Sequence, residues 1–360
     1  MPCANSIVLA SAGSGKTYGL VEAAGQNRTA RAALVTYTIN GRDELIRHAN
    51  LAFGCVPPHL SISNWYQLVL AHFVRPYQNK LYEPRVDRIT FIQSTPFARR
   101  FVRQSALNRY YFSSPGSIWS DRVTEFACRL IEETGGLPIR RFERIFDELH
   151  LDEVQDFAGW DLELIEQLLR SSVRVRMVGD HRQATFSTNN NPKNKKYRGH
   201  NVVKKFEEWQ RRALISISHD SQSRRCNQQI CTFADAFFPD SPATTSLNNE
   251  VTDHDGLYLV LSSRVPVYMA RFRPQPLRYN KAQEVLLGEP KNFGDSKGMT
   301  FDRVLIYPHG PLQKYLRTGR LIDAGKELAK AYVAVTRARF SVGFVVPESF
   351  KSDRLPFFSA

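Results

Sequence analysis

Short apolar runs alternate with amphipathic stretches along the chain. Residues 6–10, 33–37, 146–151 and 173–178 have the length and composition of buried strands, while 17–24, 43–53 and 161–170 carry apolar positions at helical spacing. Alternation of this kind predicts an α/β fold on a parallel sheet. After about residue 212 the pattern restarts, with strands at 214–217, 257–261 and 304–307, a helix at 228–238 and a closing helix at 325–339. Two tandem α/β domains are therefore expected: residues 1–212, with a small insertion at about 76–128, and residues 213–360. The Asn189-Asn190-Asn191-Pro192 stretch reads as a loop, and no internal repeat is found.

Apolar runs such as 257–261 fall far short of the ~20 residues that a bilayer crossing needs. Residues 6–10 lack a basic flank and are shorter than the ~7 to 15 residues of a signal core, so a cytoplasmic protein without a membrane partner is expected. At 42% hydrophobic and 23% charged, the composition excludes collagen-like, mucin-like and disordered chains. Five cysteines, none in a C-x-x-C pair, suggest reduced thiols rather than a zinc site or a disulfide framework. An excess of 49 Lys and Arg over 35 Asp and Glu gives +14, a footprint shared by nucleic-acid binders and by proteins that bind membranes or acidic partners. The charge is segregated: residues 143–166 are acid-rich and 193–212 basic, so one face should attract metal and another phosphate.

Ala10-Ser11-Ala12-Gly13-Ser14-Gly15-Lys16-Thr17 follows an apolar strand and opens a helix, the setting that a phosphate-binding loop requires. Small residues let the backbone N–H groups of Ala12, Gly13, Ser14 and Gly15 close on phosphates. Lys16 would neutralise the β- and γ-phosphates, and the Thr17 hydroxyl would ligate Mg²⁺. Asp152-Glu153-Val154-Gln155-Asp156 ends the strand 146–151, at the edge where open sheets bind ligands. Asp152 is expected to hold Mg²⁺ through water, and Glu153 to orient and deprotonate the attacking water. Asp147-Glu148, inside or before that strand, is expected on a solvated face.

With these two motifs in place, the chain resembles a UvrD- and Rep-type superfamily 1 helicase, whose motifs read A-x-A-G-S-G-K-T and D-E-x-Q-D. The resemblance runs in order through nearly the whole chain. Gly179-Asp180-His181-Arg182-Gln183 is similar to G-D-x-x-Q, which implies that Gln183 senses the γ-phosphate. Ser223 to Ile230 resembles N-Y-R-S-x-Q-x-I, placing Arg225 on an arginine that reaches the γ-phosphate and Arg224 where a tyrosine stacks on the base. Residues 295–302 resemble S-K-G-L-E-F, with Gly298 at the nucleotide and Thr300 in place of glutamate. Tyr332-Val333-Ala334-Val335-Thr336-Arg337-Ala338 resembles Y-V-A-x-T-R-A and makes Arg337 the second arginine finger, while Arg339 reads as a surface residue. The implied architecture is two tandem RecA-like domains with the nucleotide cleft between them. Arginine fingers of this kind are worth about 10³ to 10⁵ in rate.

Thr36-Tyr37-Thr38 resembles the T-F-T motif and Ser63 to Tyr66 the T-x-H-S-F segment, so Tyr37 and Trp65 become candidate platforms for single-stranded DNA, with core packing the competing role for Trp65. Phe186 and Tyr197-Arg198-Gly199 fall on an aromatic followed by W-R-G in the family. Between them lies an insertion carrying Lys193, Lys195 and Lys196 on the expected DNA track. Only nine residues precede Ala10 in this sequence, too few for the family's adenine-reading glutamine motif, so other nucleoside triphosphates besides ATP are expected to serve. The span between Ile230 and Ser296 is short for the large insertion of long family members.

The expected function is an ATP- and Mg²⁺-dependent translocase or helicase on single-stranded DNA. The resemblance implies 3′-to-5′ movement. By analogy with small superfamily 1 helicases, the chain would be a motor subunit with a nuclease or ATPase partner in DNA processing or phage defence. The alternatives are a nucleic-acid-gated NTPase switch that signals to a partner without unwinding, and a structural subunit with a dead site, against which Lys16, Glu153, Gln183, Arg225 and Arg337 argue.

Overall fold

The structure is a computed structural model that describes residues 5–92, 102–185, 192–324 and 328–359. The chain divides into two compact units, one of residues 1–9, 16–179 and 187–218, the other of residues 10–15, 180–186 and 219–360. Both are α/β, each on a largely parallel sheet.

In the first unit the strands are β1 (Ser6–Ala10), β2 (Ala32–Thr36), β3 (Leu60–Asn64), β4 (Glu148–Leu151), β5 (Arg174–Gly179) and β6 (Ser216–Asp220), in the order β3-β2-β4-β5-β1-β6. The four pairings from β3 to β1 are parallel. Every residue of β2 is buried, as a strand covered on both faces requires. Ala32 and Leu34 pack with Leu20, Val21 and Ala24 of α1 (Lys16–Gln26) and Leu45 and Ala49 of α2 (Ile39–Phe53). The alternate residues Ala33 and Val35 face the larger core, which contains Phe73, Phe126, Phe142 and Leu164, the last from α3 (Trp160–Leu169). Thr38 caps α2 by accepting from the Gly41 amide, and Gly54 ends it in the left-handed region.

The expected solvated face at Asp147-Glu148 is half wrong. Asp147 is an exposed partner of Arg31 at 2.8 Å, but Glu148 is buried in β4, bonded to His150 Nε2 at 2.9 Å and Arg174 Nη1 at 3.3 Å. A carboxylate can occupy a central strand when several donors from its neighbours meet it there.

The second unit holds β7 (Gly256–Leu261), β8 (Gln275–Arg278), β9 (Lys291–Asn292), β10 (Phe301–Tyr307) and β11 (Ala338–Val346), ordered β7-β11-β10-β8-β9 and parallel throughout. Val304 and Ile306 face α4 (Gln228–Asp235) and α5 (Leu328–Val335), whereas Leu305 and Tyr307 face the helix Val265–Phe272. The expected closing helix at 325–339 ends at Val335, and β11 begins three residues later. Eight of its nine residues are buried, so the strand occupies the interior of the sheet. Arg339 lies on this strand and pairs with Glu250 at 2.7 Å and Asp302 at 2.9 Å. Among the described residues, no helix is long and apolar enough to cross a membrane.

Candidate nucleotide site and nucleic-acid surface

Within the first unit, sheet order brings the start of α1 to the end of β4. Lys16 Nζ lies 3.2 Å from Glu153 Oε1, and Thr17 Oγ1 donates to Asp152 Oδ2 at 2.9 Å. The Asp152 amide donates to the Val35 carbonyl at 2.8 Å, and its Oδ1 accepts from the Glu153 amide at 2.9 Å. Burial, then the neighbouring Glu153, pushes the Asp152 carboxyl up to about 7 against a usual value of 3.8, so a compensating cation would suit it. Glu153 has φ 54°, a left-handed conformation that a non-glycine residue adopts at a cost, and the Gln155 amide donates to its carboxylate. The same Gln155 side chain comes so close to Gly179 that a Cβ there would lie 2.4 Å from Oε1.

The second unit holds the preceding six residues of the loop and the arginines. Gly13 has φ 77°, and a Cβ on it would meet Arg225 Cβ at 2.5 Å, so glycine is required both by conformation and by space. Around it, the Ser223 hydroxyl donates to the Ala12 carbonyl at 2.7 Å, the Arg224 amide to the Gly13 carbonyl at 2.9 Å, and the Arg224 guanidinium to the Ser14 carbonyl. Gly15 also has positive φ, at 89°. Arg225 Nη1 donates to the Thr336 carbonyl at 3.1 Å. Gln183 and Arg337 are both buried and meet, Arg337 Nη2 donating to Gln183 Oε1 at 3.3 Å, while Arg337 Nε and Nη1 hold the Val333 and Met299 carbonyls at 3.0 and 3.2 Å. Gly298 sits exposed before β10 with φ 84°.

The expected nucleic-acid residues divide. Tyr37 is half-buried, its hydroxyl 3.0 Å from that of Tyr66 and its ring edge-on to Phe157. Trp65 is not a platform: it is fully buried, with Nε1 donating to Asp161 at 2.8 Å. The next residue, Tyr66, is half-buried against the same core and meets Phe91, which is 70% exposed, with ring centroids 5.7 Å apart. The sequence carries no signal for either, since Tyr66 differs from Trp65 only by one position and Phe91 belongs to no motif. Tyr197 is likewise buried, its hydroxyl bonded to Glu208, so its ring is not available for stacking as expected. Lys195 and Lys196 are exposed and Arg198 half-buried, whereas Lys193 pairs with Glu163 at 3.6 Å and lies over the Trp160 ring. Phe186 lies outside the described residues.

No family model matches the sequence, and no curated protein does. Among solved structures the chain is similar to the Arterivirus nonstructural protein 10 helicase, at 16% identity and TM-score 0.47, over 96% of this chain and 60% of that one. The same helicase in complex with DNA matches at 16% identity and TM-score 0.48, over 96% and 62%. The chain thus spans about three fifths of the length of the proteins it resembles.

Proposed function

We propose that the chain is an ATP- and Mg²⁺-dependent motor on single-stranded DNA, of the UvrD- and Rep-type superfamily 1 class, moving 3′ to 5′. The observation that carries this reading is the pairing of two motifs distant in sequence: Lys16 with Glu153 at 3.2 Å and Thr17 with Asp152 at 2.9 Å. A phosphate-loop lysine and a carboxylate pair at the end of a parallel strand are the parts that NTP hydrolysis needs.

The loop amides from Ala12 to Gly15 and the Lys16 ammonium bind the phosphates. Since Lys16 also pairs with Glu153, a triphosphate draws it away and leaves the Glu153 carboxylate to take a proton from water. Thr17 and Asp152 fit Mg²⁺, a hard cation that takes few protein oxygens and keeps waters and phosphate around it. When bound, it would neutralise charge on the β- and γ-phosphates. Gln183 senses the γ-phosphate, and Arg225 and Arg337 serve as its arginine fingers. Gly298 lies by the nucleotide. Arg224 carries no base-reading group, so other triphosphates are accepted with ATP.

On this reading the strand runs over Tyr37, Tyr66 and Phe91, held by Lys195, Lys196 and Arg198, and the motor works with a nuclease or ATPase partner in DNA processing or phage defence. The decisive test is hydrolysis with and without single-stranded DNA. Stimulated hydrolysis that Lys16→Ala abolishes and Glu153→Gln reduces supports the reading, and equal rates for wild type and Glu153→Gln overturn it.

A further inference from the structure

Arg182 occupies one of the two variable positions of the G-D-x-x-Q segment, yet it is 4% exposed and bonded to four separate parts of the second unit. Nε donates to Asp180 Oδ1 at 3.0 Å. Nη1 donates to Asp235 Oδ1 at the end of α4, at 3.1 Å, and to Thr244 Oγ1 at 3.4 Å, and Nη2 donates to Ser11 Oγ at 2.8 Å. The Tyr332 ring lies 4.8 Å below the guanidinium. Asp180 is 1% exposed, and its Oδ2 accepts from Gln183 Nε2 at 3.0 Å and from Tyr332 Oη at 3.1 Å. With its nitrogen held on Asp180, the Gln183 amide presents Oε1 to Arg337 Nη2 at 3.3 Å.

We infer that Arg182 is a positioning residue for the nucleotide chemistry: it holds Asp180 so that the Gln183 amide keeps one orientation toward Arg337, and through Ser11 it fastens that amide to the loop segment 10–15. The inference rests on the proposed function, and the roles given to Gln183 and Arg337 do not contain it. Only a planar fork with several donors reaches Asp180, Asp235 and Ser11 together, which a lysine cannot do. Take the fork away and the carboxylates of Asp180 and Asp235 lose the cation they share, Asp180 in a buried position. Asp180 then takes up a proton more readily, because a buried carboxylate without its cation favours the neutral form. A protonated Asp180 no longer accepts from both Gln183 and Tyr332 as before, and the amide is free to turn over.

Among the groups facing Asp180 are Arg182 and Gln183 from its own segment and Tyr332 from α5, with Asp235 of α4 beyond Arg182 and Arg337 beyond Gln183. Burial and Asp180 hold the Tyr332 phenol well above its usual range, so it remains a donor. His181 turns instead to Ser241, 3.1 Å away.

The test compares Arg182→Lys and Asp235→Asn with wild type in kcat, KM, melting temperature and the pH profile of kcat. In Arg182→Lys, kcat should fall at least about tenfold with KM within about threefold, and its acidic limb should move to higher pH. Asp235→Asn, which loosens the far anchor shared with Thr244 and takes a like charge away from Asp180, should lower kcat about threefold and move the acidic limb to lower pH. A purely structural role would lower the melting temperature and leave the pH profile in place. Folded variants with wild-type kcat and pH profile overturn the inference, and if Arg182→Lys does not fold, Asp235→Asn alone decides on the same criteria. A wild type that hydrolyses no triphosphate overturns the proposed function and this inference together, whereas an active wild type with unaltered variants overturns this inference alone.

Discussion

Lys16 Nζ and Glu153 Oε1 stand 3.2 Å apart, with their side chains 11% and 22% exposed. Shielding at this level makes the pair stronger than a surface ion pair, so phosphate and carboxylate compete for one ammonium. Glu153→Gln should therefore bind ATP more tightly than wild type, while kcat falls by about 10² to 10⁴ with the loss of the base. A titration with fluorescent ATP alongside steady-state rates measures both. Weaker binding by Glu153→Gln would show that the pair does not restrain Lys16.

The buried Trp65 has its own consequence. Trp65 Nε1 and Thr124 Oγ1 donate to the same oxygen of Asp161, at 2.8 and 2.6 Å, and burial pushes that carboxyl up to about 6 from 3.8. The folded protein thus holds a proton where the unfolded chain has released it. Asp161 contributes fully below about pH 4 and loses its contribution as pH rises through about 6. Asp161→Asn can keep both bonds without burying a charge, so it should melt at higher temperature than wild type at pH 8 and show a flatter melting profile between pH 4 and 7. A lower melting temperature at pH 8 contradicts this.

Phe91 should be the outermost base platform. Phe91→Ala should weaken single-stranded DNA binding by about 1 to 3 kcal/mol, the value of one stacked base, without a preference among sequences. Anisotropy titrations on several homopolymers check it, and unchanged affinity removes Phe91 from the track.

Lysines 195 and 196 should act through phosphate alone. Replacing both with Ala should flatten the slope of log affinity against log salt by about 0.7 per lysine. Lys193→Ala should add little, because its ammonium already has Glu163 at 3.6 Å. An unchanged slope in the double variant would show that this stretch is merely solvated.

Arg224 donates to the Ser14 carbonyl, a contact that reads no base edge. ATP and GTP should accordingly differ in kcat/KM by less than about a hundredfold. A larger preference for ATP means that another polar group reads adenine.

The α/β class was legible in the sequence because strands such as β1, β2 and β7 are short apolar runs, whereas β3, β8 and β9 are polar or very short and carry no such signal. The strand at 338–346 was not, since the helical spacing of Tyr332 to Val335 runs into it without a glycine or proline to mark the break. Lys16, Thr17, Asp152 and Glu153 lie in contiguous motifs and could be read directly. The buried positions of Glu148 and Arg182 depend on partners far along the chain, Arg174 for one and Asp235 for the other, and local pattern does not register such pairs. Trp65 and Tyr66 show the limit at its finest: a one-residue step decides which ring is wholly enclosed by the core and which only lies against it.

The central claim, movement along single-stranded DNA, is tested most directly by stopped-flow arrival of the protein at a fluorophore on either end of oligonucleotides of increasing length. The account predicts an ATP-dependent lag that lengthens in proportion to oligonucleotide length when the label is at the 5′ end, and only dissociation when it is at the 3′ end. DNA-stimulated hydrolysis with no length-dependent lag at either end would contradict it and leave a nucleic-acid-gated switch.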